Sequence, residues 1–475
     1  MFNNLQEFYN ILPLIILGGG IILSVFIEIY SQKSESVLPW FSILIFLSAG
    51  FYSLLTVSDE SIVLQNMFST GGRTNIFFFI FNIGAALVCL LSVDYTKKYG
   101  MNYGEYYILI QSSVLGMMMM AGAKSLFMIF LGLEIMSICF YVLAGVNRKK
   151  EKAIEASLKY FLLGAFATGF LVYGIALIYG SAHSTSIDVI TSGFKDLSTN
   201  IIFLVGILLF LIGFSFKIAA FPFHMWVPDV YQGSPTTVTG LFSTVGKAAA
   251  FSAIIATLNA LFSGENESLF LPYLAVLSVF SMLFGSIVAI AQSDIKRMLA
   301  YSSISHAGYI LIGLAAGTPM GVAGVVFYLT AYTFMNLAAF GIISLVEGEN
   351  DTNLSIDSYA GLGSRKPVLA ALLAIIMFSL AGIPPLAGFF AKYYVFIAAI
   401  ESNLTWLAIL GIISSVISVY FYLRIVVIMY FKEGDQEIIP SKSFSGMLGV
   451  IISVLLVILI GILPGSLLDL INSYL

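Results

Sequence analysis

Apolar runs of spanning length follow one another from Ile11 almost to the C-terminus, joined by short polar connections, and that succession leaves few folds open. A membrane helix takes about 20 apolar residues, and inside a bilayer each spanning segment must satisfy its own backbone hydrogen bonds. The runs place segments at 11–30, 38–57, 75–94, 105–123, 126–146, 155–180, 200–231, 236–262, 270–291, 298–316, 320–346, 367–400, 404–430 and 445–472. The expectation is an all-α polytopic membrane protein of about 14 transmembrane helices, with prolines breaking the seventh and the twelfth. With 59% hydrophobic and 10% charged residues the composition is far from that of a soluble protein. The longest polar stretches, 181–200 and 347–366, are too short for a soluble domain. The start MFNNLQEFYN lacks a basic region, and the run behind it spans without a cleavage site, so no cleavable signal is expected. A net charge of −4 gives no reason to expect a nucleic-acid partner. Cys89 and Cys139 lie in apolar runs without a CxxC or Cys/His neighbour and read as buried thiols.

Loop charge sets the orientation. Lys33, Lys97, Lys98, Arg148, Lys149, Lys150, Lys152, Lys296, Arg297, Arg365, Lys366, Lys432 and Lys442 all fall on one side of a fourteen-crossing arrangement. The other side holds Arg73, Lys124 and Lys195 beside Asp59, Glu60, Asp188, Asp196, Glu265 and Glu267. Positive charge accumulates in cytoplasmic loops, so both termini are expected outside.

The chain also repeats itself weakly. FSFKIAAFPFHMW in segment seven and FSLAGIPPLAGFFAKYY in segment twelve are each a Phe-Ser apolar run broken by proline, five segments apart. Paired broken segments mark inverted-repeat transporters, with binding sites at the breaks. Five crossings are an odd number, so the second copy enters from the opposite side. The predicted units are an N-terminal part (1–104), repeat one (105–262), repeat two (270–430) and a C-terminal helix (431–475).

Charges inside the apolar segments carry the functional reading, because each costs at least about 2.5–3.5 kcal/mol to insert. Glu134 is mid-segment in LFMIFLGLEIMSICFYVLAGV and needs a cation or a proton. Lys217, five residues before Pro222, is the expected partner, near a half-helix C-terminus where the dipole favours it. Lys247 stands mid-segment in the next helix. Lys392 follows Pro385 by seven residues, early in a half-helix, where the dipole disfavours a cation. A carboxylate about 4 Å from an ammonium is worth roughly 4 kcal/mol at an effective dielectric of 20, enough to offset much of what burial costs the charged form. Moving Glu134 toward or away from Lys217 is therefore expected to switch the lysine between holding and releasing a proton. Lys159 has Glu155 one turn before it and lies near a segment end; Glu105 opens segment four. His306, beside Ser302, Ser303 and Ser305, either extends a hydrated path or packs as a hydrogen-bonded histidine. His224 in the break reads as structural. No trio has metal-ligand spacing, and no phosphate loop or nucleophile-base pair is visible.

The stretches FKIAAFPFHMWVPDVYQGSPTTVTGLFSTVGKAAA, DIKRMLAYSSISHAGYIL and SLAGIPPLAGFFAKYYVF resemble the antiporter-like membrane subunits of respiratory complex I, over nearly the whole chain. The lysine of segment twelve, and the end of the chain just after segment fourteen, set it apart from the middle and distal members of that family. The resemblance implies two inverted five-helix repeats. It implies Glu134 and Lys217 as the regulated pair, Lys247 as central relay, Lys392 as terminal lysine, and functional positions at Glu105 and Lys159. It implies a proton-translocating subunit of an NADH:quinone oxidoreductase in the bacterial inner membrane, both termini periplasmic, with no cofactor of its own. NADH, FMN, iron-sulfur clusters and quinone would belong to other subunits. Its partners would be the neighbouring small membrane subunits and the middle antiporter-like subunit, with lipid and protons. The same motifs also suit a subunit of a multi-component sodium/proton antiporter or a membrane-bound hydrogenase. A third expectation is an assembly scaffold whose charges pair statically.

Overall fold

The computed structural model describes residues 5–58, 60–261, 270–348, 351–434 and 440–475. Asp59, Glu265 and Glu267 of the loop-charge count, and the last residue assigned to segment eight, lie outside them.

The N-terminal part is α1 (Leu5–Asn10), α2 (Leu12–Tyr30), α3 (Ser34–Leu55) and α4 (Gly72–Lys98). A small antiparallel hairpin, β1 (Ser61–Val63) and β2 (Phe68–Thr70), joins α3 to α4 with Ile62 opposite Ser69. Then come α5 (Gly104–Ala121), α6 (Leu126–Ala144), α7 (Glu151–Ala182) and the short α8 (Ile187–Ser192) and α9 (Phe194–Leu197). The broken seventh segment is α10 (Ile201–Lys217) and α11 (Val227–Gly233). The eighth is α12 (Thr236–Leu241), a π-helical turn at Phe242–Gly246 and α13 (Lys247–Leu261). After α14 (Leu271–Ile290), α15 (Ile295–Ala315), α16 (Pro319–Val346) and the short α17 (Leu362–Arg365) comes the broken twelfth, α18 (Pro367–Ala381) and α19 (Ala387–Glu401). The chain finishes with α20 (Thr405–Phe431), α21 (Phe444–Ile462) and α22 (Pro464–Asn472).

Each of the fourteen expected segments coincides with helix. Among the described residues, 11 helices are long and apolar enough to cross a membrane; the other three segments are α5 and the two broken ones. Segment fourteen, expected as one run, is divided at Leu463, because Pro464 has no N–H to continue α21 and instead starts α22. Segment ten begins earlier than expected, at Ile295, so Lys296 is a buried helix residue rather than a loop charge.

Helices α12, α13, α15 and α16 lie in the middle, almost wholly buried, while α2 and α7 turn most of their surface outward. Several helix pairs meet on glycine. A Cβ at Gly116 of α5 would lie 2.5 Å from the Gly132 carbonyl of α6, and one at Gly285 of α14 would lie 2.6 Å from the Ser305 nitrogen of α15. Small residues allow such backbone approach in membrane helices, and the first two helices of each expected repeat use the same device.

Both breaks are built to satisfy the backbone they free. In the first, the Phe221 N–H donates to Ser281 Oγ at 2.9 Å, and Trp226 Nε1 donates to the Phe216 carbonyl at 3.0 Å. In the second, Gly382 at φ 90° closes α18, a left-handed conformation that glycine adopts without penalty. Phe221–Pro222 and Pro384–Pro385 are cis peptides.

Candidate functional site

Lys217 is the last residue of α10 and is buried. Its ammonium donates to Ser137 Oγ at 2.8 Å and to Tyr141 OH at 3.2 Å, both on α6, and stands 5.5 Å from the Tyr141 ring centre. Glu134 is one turn before Ser137 on that helix, and it is half-buried rather than enclosed. Its Oε1 accepts from Thr168 Oγ1 of α7 at 2.8 Å, and it makes no ion pair with Lys217 within 4 Å. The expected acid-base contact is thus open, and Ser137 and Tyr141, at i+3 and i+7 from Glu134 on the same helix face, take the ammonium.

Lys247 is the first residue after the π-helical turn, a local irregularity that often marks function. Its ammonium donates to the Ser303 carbonyl at 2.7 Å and to Ser303 Oγ at 2.5 Å, with the Tyr332 ring centre 5.9 Å away. Ser303 Oγ also meets Tyr231 OH at 3.5 Å. Three residues along α15, the buried His306 has a phenol on each ring nitrogen, Tyr328 at 2.7 Å on Nδ1 and Tyr422 at 3.0 Å on Nε2. Tyr422 in turn bonds Ser302 Oγ.

Lys392 corrects an expectation drawn from helix dipoles. It is rooted in the first half of α19, but its ammonium reaches back across the break to the carbonyl end of α18, donating to Leu380 O at 3.2 Å and Ala381 O at 2.9 Å. That is the negative end of a dipole, which favours the cation. Ser415 Oγ accepts a third bond at 2.9 Å, and the Tyr309 ring centre is 5.1 Å away. From there Tyr309 OH meets Ser414 Oγ at 3.0 Å, Ser414 meets Ser286 at 2.9 Å, and Ser286 meets Ser305 at 2.8 Å, one residue from His306.

One helix, α15, therefore carries Ser302, Ser303, Ser305, His306 and Tyr309 between Lys247 and Lys392. On the other flank, aromatic rings connect the Lys217 site to it: Tyr141 to Tyr160 at 4.9 Å, Tyr160 stacked on Trp226 at 4.4 Å, and Trp226 to Tyr231 at 6.2 Å. The tyrosines were not singled out from the sequence. Their one available signal was a phenol inside a spanning segment, whose hydroxyl needs a partner when buried.

Lys159 and Glu105 do not join this line. Lys159 is half-buried, pairs with Glu155 at 2.6 Å as its spacing suggested and with Asp229 at 2.7 Å, and Asp229 also holds Arg297 at 2.8 Å. Glu105 is exposed on the first turn of α5. His224 is buried against the Phe221 and Phe284 rings at 5.4 and 4.6 Å.

What the site offers chemically is amines, hydroxyls and an imidazole in local hydrogen-bonded groups around Lys217, Lys247, His306 and Lys392, the first of them linked to the others through aromatic rings, inside an apolar body. Comparison with known proteins points the same way. Residues 123–418 match the family model described as NADH:quinone oxidoreductase/Mrp antiporter, transmembrane. The chain is 43% identical to NADH-quinone oxidoreductase subunit N 1 of Chloroherpeton thalassium, over 98% of each chain. It is 46% identical to subunit N of Trichlorobacter lovleyi, over 89% of this chain and 86% of the relative. A chain of respiratory complex I from Thermus thermophilus, solved with bound aureothin, superposes with a TM-score of 0.82 at 29% identity, covering 96% of this chain and 98% of that one.

Proposed function

The chain belongs to the NADH:quinone oxidoreductase/Mrp antiporter membrane family, in the subunit-N branch of the respiratory enzyme, and from that premise we propose that Lys217, Lys247, His306 and Lys392 form its proton line, with Glu134 as the charge that regulates it. The protein is a multi-pass membrane subunit of a proton-translocating NADH:quinone oxidoreductase of the bacterial inner membrane, and its partners are the other membrane subunits of that complex. The redox chemistry is assigned to those other subunits: NADH, FMN, iron-sulfur clusters and quinone bind there, and this chain moves protons in response.

The observation that carries the residue assignment is the company the three lysines keep. Each ammonium is buried, and each is held by hydroxyls or carbonyls, with no carboxylate within 4 Å among the described residues. A static scaffold would bury its cations with counter-ions, because an unpaired buried charge costs several kcal/mol. Partners that are neutral, such as Ser137, Tyr141 and Ser303, can accept from an ammonium or donate to an amine equally well. Such a site tolerates both states, as a relay must. The open distance between Glu134 and Lys217 supports the switching role: closing it would favour the proton on Lys217, and opening it would release the proton toward Lys247. Repeat one (105–262) and repeat two (270–430) would then hold one break each, and both termini would lie on the periplasmic side. Lys159 and Glu105 belong to the flank of this arrangement, where loops and neighbouring subunits meet it.

The test is proton pumping beside electron transfer in membranes whose complex carries Lys217→Ala. The reading expects both to fall together, or pumping to fall more. Normal pumping by fully assembled complex would return the lysine to a structural role.

A further inference from the structure

A second buried charged cluster lies at the face carrying the basic loops, outside the line just described. Its centre is Glu347, at the C-terminal end of α16, 1% exposed. One carboxylate oxygen, Oε2, accepts from Thr236 Oγ1 at 2.5 Å and Tyr95 OH at 3.1 Å. The other, Oε1, has no hydrogen-bond donor among the described residues and faces Lys150 at 3.8 Å. Lys150, which is partly exposed, bonds Asp351, also partly exposed, and Lys152 approaches Asp351 at 3.6 Å. From α15, Lys296 is fully buried, donates to the Ser234 carbonyl at 2.7 Å, and has Glu347, Lys150, Asp294 and Asp351 as its charged surroundings. From α4, Lys98 Nζ and Tyr99 OH hold the Glu347 carbonyl at 2.6 and 3.0 Å. Tyr359 completes the surroundings; burial and the nearby Glu347 and Asp294 push its phenol up, so it stays a neutral hydroxyl. Its OH and Ser234 Oγ are, like Glu347 Oε1, buried without a partner among the described residues. Buried polar atoms grouped in this way are what internal water satisfies.

The carboxylate is joined to the proton line by the helix that begins at its own donor. Thr236 opens α12, and the chain runs from it through the π-helical turn at Phe242–Gly246, where the Ser243 and Thr244 hydroxyls donate to the Gly240 carbonyl at 3.1 and 2.6 Å, directly to Lys247. Ser243 and Thr244 are buried. The rise from Thr236 to Lys247 is about 16 Å at roughly 1.5 Å per residue.

We infer that Glu347 is the proton-loading residue of this chain, taking protons from the basic-loop face past Lys150 and Asp351 and passing them through Thr236 and internal water beside α12 to Lys247. In each transfer the carboxyl gives its proton to the Thr236 hydroxyl as that hydroxyl gives its own to an internal water, which hands a proton on toward the Lys247 amine. The carboxylate is restored, and the hydroxyl and the water are unchanged. The inference rests on the proton-line reading above and adds its entrance.

The experiment uses whole complex in inner-membrane vesicles, with Glu347→Gln, Glu347→Asp and Lys247→Ala compared with the parent. NADH-driven pumping per assembled complex is followed as external pH is raised, with and without azide as a small permeant weak acid. A loading role predicts a several-fold loss in Glu347→Gln that deepens with rising pH, substantial recovery with azide, and near-normal behaviour in Glu347→Asp. A purely structural role predicts a loss that tracks the amount of assembled complex and ignores azide, and that result, or unchanged pumping in Glu347→Gln, overturns the inference. If Lys247→Ala also pumps normally, the proton line itself has failed. If only Glu347→Gln does, the line stands and its entrance is elsewhere.

Discussion

Lys392 shows how a single side chain can be both a proton carrier and a piece of the fold. Its ammonium caps two carbonyls at the end of α18, and leaving a buried acceptor unmet costs roughly 1–3 kcal/mol. Lys392→Ala should therefore lower both pumping and the melting temperature of the purified complex, whereas Lys217→Ala, which strands only hydroxyls, should lower pumping with a smaller thermal shift. Lys159 is the contrasting case. Its pairs with Glu155 and Asp229 are half-exposed, and such pairs contribute about 0–1 kcal/mol, so Lys159→Ala should leave the yield of assembled complex nearly unchanged on native gels. The lysines and Glu134 were legible because a charge stands out in an apolar run. Tyr141, Tyr328 and Tyr422 were not, since a tyrosine fits an apolar helix as readily as phenylalanine, and its hydroxyl has meaning only once the partner across the fold is known. Glu347 was hidden by position: at the end of a run it looked like a loop residue, and only tertiary packing buries it.

Among the elements, the two breaks were readable because proline removes a backbone donor wherever it stands. What the sequence left open was how the halves are held. At the second break a Cβ on Gly388 would lie 1.8 Å from the Ser379 carbonyl, so α18 and α19 approach through a position that admits no side chain. Overpacking of this kind costs roughly 1–3 kcal/mol. Gly388→Ala should reduce assembled complex, measured by native gel, more than the same change at Gly18, where a Cβ meets nothing within 4 Å. With 42 glycines in the chain, the sequence had no means of ranking these two. The π-helical turn before Lys247 left no local pattern to read, whereas the division of segment fourteen at Leu463 follows from Pro464, a signal the sequence did carry.

For the molecule as a whole, the apolar outer faces of α2 and α7 suit lipid or neighbouring subunits, and the buried polar line runs across the interior from α6 and α10 to α19. The fourteen crossings were legible since the hydrocarbon thickness fixes their length, and the basic loops give the sense expected for them. That sense is open to direct test: with Cys89 and Cys139 both buried, a membrane-impermeant thiol reagent should label Ser473→Cys from the periplasmic side and Lys149→Cys only from the cytoplasmic side. The central claim is that buried amines along this line carry the protons. The most direct measurement is the number of protons translocated per NADH oxidised by complex carrying Lys247→Ala, reconstituted in vesicles and compared with Lys247→Arg. The account predicts impaired turnover with a lower proton yield in the alanine variant, and partial function in arginine, which keeps the charge but releases its proton poorly. An undiminished proton yield at undiminished rate in Lys247→Ala would contradict it.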